Sequence, residues 1–225
     1  MIPKIIHYCW FGKKPKNRLI KKCIASWHKY CPDYKFIEWN EDNFDIYKYK
    51  YVIQAYEKRK WAFVSDVVRL YALNHYGGVY LDTDVELVKP LDPLLQNKAF
   101  LGFEGSKWIA TNIMGSEANN IILLNFFNRY MERNFYLGSP SNVVILTNLL
   151  VENYNLILNG NQQNLQNMKI YPTEYFCPYD YINGKLNTTD KTFSIHWYDM
   201  SWSDRHWLIR KISLLYHRLL KKGME

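Results

Sequence analysis

Two aspartates with one residue between them, Asp82 and Asp84, follow a short apolar segment of the chain. Side chains two positions apart in an extended strand point to the same face, so both carboxylates can converge on one cation. Two carboxylates held this close repel each other unless a cation or a proton intervenes. A hard divalent ion held by few protein ligands keeps positions for water and phosphate oxygens. The pair therefore predicts a divalent-metal site that takes a diphosphate, with a solvated turn as the alternative.

The segment before these aspartates, residues 61–76, has the pattern of a helix that ends at Gly77. Its apolar residues recur on one face, as expected for a helix packed on a core. Asp66 and Arg69 lie three residues apart on another face. Such a pair on a helix surface contributes about 0.2–0.5 kcal/mol, and that is the simplest interpretation of the two residues by themselves.

Four segments together resemble a known family. Residues 65–69 read SDVVR and residues 77–84 read GGVYLDTD. Both resemble the signature of the DXD sugar-binding glycosyltransferases of family 32, which includes bacterial capsule and lipopolysaccharide sugar transferases, and are similar to the clostridial glucosylating toxins. Residues 2–12 resemble the first strand of that family, and residues 194–202 resemble its closing motif. The four matches occur in the family's order and extend over nearly a whole domain.

The resemblance implies a metal site with three protein ligands. By this pattern Asp84 is the direct ligand, while Asp82 contacts the donor and supports the ion. His196 matches the position of a third ligand, with a hydrogen-bonded histidine at a strand end as the alternative. Family habit indicates Mn²⁺, with Mg²⁺ as the second choice, because oxygen ligands alone do not discriminate between the two ions.

Two tryptophans are implied to cover the donor. Trp10 ends the first predicted strand, and the resemblance to the toxins implies that its indole stacks on the nucleobase, a contact worth about 1–3 kcal/mol. Trp202 lies in the closing motif, where it would form part of a lid that excludes water. For both residues the alternative is packing in the core.

Four further residues are implied to hold the donor sugar and its phosphate. The carboxylate of Asp66 accepts hydrogen bonds from sugar hydroxyls, and the guanidinium of Arg69 forks onto hydroxyls or a phosphate oxygen and assists the leaving group. Tyr80 shares the strand face of Asp82 and contacts the donor. Asn112 lies at the end of a predicted strand and shapes the sugar side of the site.

Strand and helix patterns alternate along the chain, which implies right-handed crossovers and a parallel sheet. Together with the resemblance, this predicts an α/β fold, a GT-A-like single domain with a mainly parallel Rossmann-like sheet flanked by helices, over residues 1–202. Ligands of open α/β sheets bind outside the carboxyl ends of the strands, so Trp10 and Asp82 are expected to face one crevice. The predicted strands include 4–10, 34–39, 85–88, 99–103, 108–114, 168–171 and 192–197, the helices 17–30, 61–76, 119–131 and 143–154, and the longest loop 159–167.

Composition agrees with one enzyme domain. The chain has 225 residues, of which 48% are hydrophobic, enough for a single sizeable core. No run of 18 apolar residues and no signal-peptide pattern is present, so the expected location is the cytoplasm or the inner face of a bacterial cell membrane. The four cysteines lack C-x-x-C spacing, which predicts reduced structural thiols.

The end of the chain, residues 203–225, is predicted to be a basic amphipathic helix. Within 206–222, Leu208, Ile212 and Leu215 lie on one stripe that basic residues flank. Such a helix suits an anionic membrane surface. The alternative is a terminal helix that packs on the core with its charged face in solvent, and the sequence leaves both open.

The predicted function is metal-dependent transfer of a hexose from a nucleotide-diphosphate sugar, preferably a UDP-sugar, to a glycan or lipid-linked glycan acceptor in bacterial surface polysaccharide synthesis. The resemblance implies retention of anomeric configuration. One alternative is a metal-dependent nucleotide-sugar phosphohydrolase. A nucleic-acid-binding protein is the other, suggested by the net charge of +8 and the 19 tyrosines. No nucleic-acid partner is predicted, because the chain has no RNP-like motif and its aromatic residues are dispersed.

Overall fold

The computed structural model describes residues 1–199, which form an α/β fold around a central mixed sheet. The predicted elements are recovered with boundaries shifted by a few residues at most. The strands are β1 Ile5–Cys9, β2 Lys35–Trp39, β3 Gly78–Leu81, β4 Val85–Leu87, β5 Ala99–Glu104, β6 Trp108–Ser116, β7 Gln163–Leu165, β8 Met168–Tyr171, β9 Tyr179–Asp180, β10 Lys185–Leu186 and β11 Ser194–His196, and the α-helices are α1 Arg18–Tyr30, α2 Lys50–Glu57, α3 Trp61–Tyr76, α4 Ile121–Met131, α5 Asn142–Tyr154 and α6 Thr173–Phe176.

Within residues 1–199, seven strands form the main sheet, in the order β2-β1-β3-β6-β5-β8-β7. β1 pairs in parallel with β2 and with β3, and β5 pairs in parallel with β8. β6 runs antiparallel to both of its neighbours, and β7 is antiparallel to β8. Five of these seven strands therefore point the same way, which confirms the mainly parallel sheet of the predicted α/β class.

Helices cover both faces of this sheet. Along β3, Val79 and Leu81 belong to one hydrophobic cluster and Tyr80 to the other, as the alternation of side chains across a strand requires. The Tyr80 cluster contains the buried residues of α2, α3, α4 and α5. The opposite cluster is built from α1, α6 and the strand pair β4–β11. The end of β3 that leads into Asp82 thus has helices on one face of the sheet and the small β4–β11 sheet on the other.

The turn between α3 and β3 needs glycine at both positions. Gly77 ends α3 with a φ of +63°, and Gly78 begins β3 with a φ of +109°. A Cβ atom on Gly78 would lie 2.6 Å from the backbone oxygen of Ile5, closer than side chains approach a neighbouring strand. The GG dipeptide therefore lets β3 lie directly against β1 and places Asp82 at the edge of the sheet.

The predicted loop, the cysteines and the predicted terminal helix have different outcomes. Residues 159–167 are not a plain loop, because β7 forms there and pairs with β8 as an edge strand. All four cysteines, which lie within the described residues, are free and buried, as predicted. Trp202 and the predicted helix 203–225, including the membrane-binding stretch 206–222, lie outside the described residues. Within 1–199, none of the helices combines the length and apolarity that crossing a membrane requires.

His7 is a fully buried histidine at the centre of the sheet. Its Nε2 lies 2.8 Å from the backbone oxygen of Gly77, and its Nδ1 lies 3.2 Å from the indole nitrogen of Trp39. Because the indole can only donate, Nδ1 must accept and Nε2 must carry the proton, which defines a neutral ring. Burial lowers the pKa of His7 to about 4.

This histidine predicts a loss of stability in weak acid. A pKa that is lower in the folded than in the unfolded chain means that the unfolded state binds the proton more tightly. Stability is therefore fully present above pH 6.5 and falls as the pH drops toward 4, by about 3 kcal/mol. Urea unfolding of wild type and His7→Gln across this range measures the effect. His7→Gln should show a shallower slope, whereas the exposed His75→Gln should keep the wild-type slope; equal slopes in all three proteins would contradict the assignment.

Candidate active site

A cavity of about 610 Å³ opens at the edge of the sheet where β1, β3 and β5 end. β6 begins at this same edge, because it runs antiparallel to β3 and β5. Trp10 and the pair Asp82 and Asp84 all line this cavity, so the two strand ends face one crevice as predicted. Helix α3 forms one wall and the start of α5 another.

Asp82, Asp84 and His196 come together at the cavity wall. Each offers one ligand atom, and these atoms all lie within 4.8 Å of one another. Nε2 of His196 is 3.4 Å from Oδ1 of Asp84. Neighbouring ligands of an ion with bonds of 2.0–2.2 Å lie about 3 Å apart, so this spacing suits two ligands of one cation. Two carboxylate oxygens and an imidazole nitrogen are a donor set that can hold a divalent cation.

The small second sheet brings His196 to the aspartates. β11 pairs antiparallel with β4, and this register places His196 opposite Val85, the residue that follows Asp84. The backbone N–H of Trp197 donates to the carbonyl of Asp84, and the N–H of Asp199 donates to its carboxylate at 2.9 Å. These contacts hold His196 beside Asp84, although the two residues are more than one hundred positions apart in the sequence.

The ionisable groups of this cluster interact strongly with one another. Burial raises the pKa of Asp82, with Arg69 opposing the shift and Asp84 adding to it. For Asp84, burial acts in the same direction, but the hydrogen bond and charge of His196 outweigh it and lower its pKa. Nδ1 of His196 is buried and has no hydrogen-bond partner among the described residues. The residues present therefore fit a bound divalent ion.

Arg69 lies between Asp66 and Asp82, one of the three candidate metal ligands. Its guanidinium lies 3.1 Å from Asp66 and 3.2 Å from Asp82, and it donates to the backbone oxygen of Thr111 at 2.7 Å. The ring of Tyr80 lies beneath it at 4.5 Å. The side chains of Arg69 and Asp66 are only 4% and 8% exposed. The interpretation of these two residues as a surface ion pair is therefore wrong, because the helix face that carries them is covered by β3, β6 and α5.

Asn142, at the start of α5, is a site residue that the sequence analysis missed. Its side-chain Nδ2 donates to Oδ1 of Asp66 at 2.6 Å. Burial raises the pKa of Asp66 to about 7, while Arg69 and this hydrogen bond both oppose the shift. The predicted helix 143–154 begins one residue after Asn142, and nothing in the local sequence of Asn142 indicates a partner 76 residues away.

Removal of this hydrogen bond should shift the pH dependence of donor binding. Because Asn142 lowers the pKa of Asp66, Asn142→Ala is expected to raise it. The acidic limb of the affinity profile for a nucleotide sugar should then move to higher pH, with weaker binding at pH 7 and a smaller deficit at pH 9. Titrations of wild type and Asn142→Ala from pH 5.5 to 9 measure the shift, and Asn148→Ala on the same helix serves as the control. An unmoved limb would remove Asn142 from the site.

Trp10 lies at the other end of the cavity and is half-buried. Its indole N–H donates to the backbone oxygen of Lys14 at 2.6 Å, and the ammonium group of Lys16 lies 5.3 Å from its ring. The ring is thus held by the loop that follows β1 and takes no part in either hydrophobic cluster. The alternative of a core tryptophan is wrong for Trp10.

The remaining predicted donor residues within residues 1–199 also line the cavity. Tyr80 is almost fully buried, and its hydroxyl donates to Asp82 at 3.0 Å. Asn112 is buried, its backbone oxygen accepts from the N–H of Asp82, and its Nδ2 has no partner among the described residues. Ser141 and Asn142, at the start of α5, line the cavity as well.

Comparisons with known proteins identify the same region. Residues 17–101 match the family model described as the glycosyltransferase sugar-binding region containing the DXD motif. Mannosyl phosphorylinositol ceramide synthase CSH1 of Saccharomyces cerevisiae is 29% identical over 146 residues, which are 61% of this chain and 38% of that protein. Inositol phosphoceramide mannosyltransferase 3 of Schizosaccharomyces pombe is 33% identical over 131 residues, 55% of this chain and 35% of that protein. The chain thus spans well under half the length of these curated relatives.

Solved structures share the fold. The PaToxG glycosyltransferase aligns with a TM-score of 0.53 at 20% identity, over 67% of this chain and 69% of that one. A glycosyltransferase involved in the glycosylation of the major capsid of PBCV-1 aligns with a TM-score of 0.52 at 13% identity, over 95% of this chain and all of the other. At these identities the likeness concerns the fold, and it confirms the GT-A-like architecture.

Proposed function

We propose that this chain is a metal-dependent glycosyltransferase, which moves a hexose from a nucleotide-diphosphate sugar to a glycan or lipid-linked acceptor. One observation carries the proposal. A single cavity joins an aromatic ring for a base at Trp10, a candidate metal cluster around Asp84 and a buried carboxylate–guanidinium pair, Asp66 and Arg69. These are the three kinds of group that a nucleobase, a diphosphate and a hexose require. The DXD-region match and the fold support the same assignment.

Different residues of the cavity bind different parts of the donor. Trp10 stacks on the base, and its hydrogen bond to the loop holds the ring in place before the donor arrives. Asp66 accepts from sugar hydroxyls, while Asn142 and Arg69 keep its carboxylate oriented. Arg69 also holds Asp82 toward the metal cluster, and its positive charge stabilises the negative charge that develops as the diphosphate departs. Asn112 lines the same cavity, and its buried amide nitrogen has no hydrogen-bond partner among the described residues.

Asp82, Asp84 and His196 would hold the ion, proposed as Mn²⁺ with Mg²⁺ as the alternative. When bound, it supplies Lewis-acid stabilisation of the leaving diphosphate. The protein must also keep water away from the anomeric carbon, because water competes with the acceptor. Retention of anomeric configuration is part of the proposal and is read directly from the product by NMR.

The donor and acceptor classes follow from different observations. The names of the curated relatives specify mannose transfer to inositol phosphoceramide, which supports a mannosyl donor and a lipid-linked acceptor. The resemblance to capsule and lipopolysaccharide transferases supports a UDP-hexose and a bacterial surface glycan. Both share a nucleotide-diphosphate hexose and a hydroxyl-bearing, membrane-associated acceptor. We therefore propose a nucleotide-diphosphate hexose as the donor and a hydroxyl-bearing, membrane-associated molecule as the acceptor. A location of the enzyme at a membrane surface is proposed on the same basis.

A thermal-shift panel tests the donor half of this function. UDP-glucose, UDP-galactose and GDP-mannose are each added with Mn²⁺, with Mg²⁺ and with EDTA. One of them is expected to raise the melting temperature only when the ion is present, because a ligand at 100 times its Kd stabilises the fold by about 2.7 kcal/mol. ATP and glucose serve as controls for the nucleotide and the sugar separately. No shift with any sugar nucleotide would overturn the proposal.

A turnover assay separates transfer from hydrolysis. A transferase should release nucleoside diphosphate slowly from the donor by itself and faster when an acceptor is added. A phosphohydrolase would cleave the diphosphate at the same rate with and without acceptor, and it would release sugar phosphate. The nature of the released nucleotide therefore decides between the two functions.

A further inference from the structure

We propose that the end of the cavity formed by Glu104, Trp108 and Tyr181 binds the acceptor, and that it recognises a hydroxyl-rich ring such as a sugar or a cyclic polyol. This inference rests on the proposed transferase function and deepens it. None of the three residues has a role in holding the donor as described above. All three line the same cavity as Asp84 and Arg69.

The order of strands separates this end from the nucleotide end. Across the edge of the sheet the strands follow as β1, β3, β6 and β5. Trp10 follows β1, Asp82 follows β3, and Glu104 ends β5. Neighbouring strands lie about 4.8 Å apart, so the backbone at the end of β5 is roughly 14 Å from the end of β1 and roughly 10 Å from the end of β3. A donor stretched from β1 to β3 leaves the β6–β5 end for a second substrate.

Glu104 and Trp108 form a cross-strand pair. They face each other directly across the antiparallel pair of β5 and β6, so their side chains lie on the same face of the sheet. The tight turn between them contains Gly105, whose carbonyl accepts from the hydroxyl of Thr173 at 2.6 Å. Trp108 is nevertheless 44% exposed, which is unusual for a tryptophan in a strand whose other residues are all buried. A half-exposed indole beside a carboxylate at a cavity mouth is a suitable surface for a ligand.

An aromatic column connects this end to the metal cluster. The ring of Tyr198 lies 3.9 Å from the ring of His196 on one side and 4.6 Å from the ring of Tyr181 on the other. Burial raises the pKa of Tyr181, and the charge of Glu104 adds to the shift, so the phenol remains a neutral donor beside the carboxylate. A ligand that contacts Tyr181 is therefore separated from His196 by one aromatic ring, that of Tyr198.

The chemistry of these side chains specifies the ligand class. Aromatic faces pack against the C–H face of a saturated ring, while a carboxylate and a phenol hydroxyl bind its hydroxyl groups. Among the described residues that line the cavity, the lysine and arginine side chains are Lys14 and Arg69, and both belong to the donor part. The β6–β5 end therefore favours a neutral, hydroxyl-bearing ring over a phosphate or a carboxylate group.

The test measures acceptor and donor binding separately. Methyl α-mannoside, methyl β-galactoside and myo-inositol are the probes, observed by saturation-transfer NMR with enzyme that contains Mg²⁺, which is not paramagnetic, and either UDP or GDP. At least one probe should receive saturation from wild type, and Trp108→Ala should abolish the signal. In turnover assays Glu104→Gln should raise the KM for that acceptor at least tenfold. The donor KM and the rate of acceptor-free donor hydrolysis should stay within twofold of wild type.

Control variants and separate outcomes distinguish a failure of the acceptor site from a failure of the proposed function. Tyr47→Ala and Glu57→Gln remove exposed side chains outside the cavity and should leave every value unchanged. Unaltered probe binding in both Trp108→Ala and Glu104→Gln would overturn the acceptor assignment. A raised donor KM with an unchanged acceptor KM would overturn it too, by moving Glu104 to the donor. If wild type itself binds no sugar nucleotide in the thermal-shift panel, the proposed function fails, irrespective of these two variants.

Discussion

Asp84→Asn is expected to abolish metal-dependent turnover, with a loss of about 10³-fold or more in kcat. A metal ion that stabilises a leaving group contributes several kcal/mol, and each 1.36 kcal/mol corresponds to a factor of ten in rate. Asparagine has the size of aspartate and keeps an oxygen that can accept from the N–H of Asp199. What it loses is the negative charge that pairs with His196 and would bind the ion.

The fold should survive this change. The carboxylate lies at the cavity wall, and its removal also relieves the repulsion from Asp82, so the metal-free melting temperature should change by a few degrees at most. The thermal shift produced by Mn²⁺ with a sugar nucleotide should disappear in the same variant. Asp42→Asn, on an exposed turn, is the control. Wild-type turnover in Asp84→Asn would show that the metal cluster is assigned to the wrong residues.

Arg69→Met is expected to cause the largest loss of stability among single changes in the site. The guanidinium lies between two carboxylates, Asp66 and Asp82, and donates to the carbonyl of Thr111. Removal of one partner from a buried ion pair costs about 3–5 kcal/mol, because the other charge is left without compensation. Methionine has a similar length and fills the space, so the effect reports the charge and the hydrogen bonds.

The loss should depend on pH in a defined direction. Arg69 lowers the pKa of Asp66, so its removal raises that folded-state pKa further above the unfolded value of 3.8. A carboxyl group whose pKa is raised by folding stabilises the fold least at high pH. The deficit of Arg69→Met relative to wild type should therefore be smaller at pH 5 than at pH 8.

Urea unfolding at these two pH values, in EDTA, measures the difference. Arg69→Lys keeps the charge and should recover part of the stability, but a single ammonium group cannot reach Asp66, Asp82 and Thr111 together. Donor binding should therefore stay impaired in Arg69→Lys. The exposed Arg129→Met, on α4, is the matched control. Equal stability of Arg69→Met and wild type at pH 8 would mean that the two carboxylates do not need this partner.

Local patterns predicted most elements of the fold because each depends on neighbouring residues. The alternation of strands and helices, the end of α3 at Gly77 and the apolar run of β1 are all features of short windows. β7 was missed for the opposite reason. It has only three residues, of which two are polar and the third is the buried Leu165, and they form a strand because the edge of β8 offers backbone partners.

The candidate site also contains some residues that the sequence predicted and others that it did not. The spacing of Asp82 and Asp84 and the family resemblance predicted that both carboxylates meet at one cation, but strand alternation is not the reason, because the two residues lie in the turn between β3 and β4, where the N–H of Val85 donates to the carbonyl of Asp82. For Asp66 and Arg69, helix spacing predicted proximity but not environment. Two strands and a helix distant in sequence bury that pair, and burial is what converts a weak surface contact into a strong one. Asn142 and the pair Glu104 and Trp108 were not predicted, because their partners come from other elements.

The amino-acid sequence by itself determined the α/β class, the acidic end of β3 and the resemblance to DXD sugar transferases, because these depend on short-range periodicity and on residue types in order. Only the tertiary structure decided that His196 faces Asp84, that Arg69 lies between two buried carboxylates, and that a second group of residues forms the far end of the same cavity. The physical reason is that burial and long-range contact set the strength of an electrostatic interaction, and both arise only when distant strands pair.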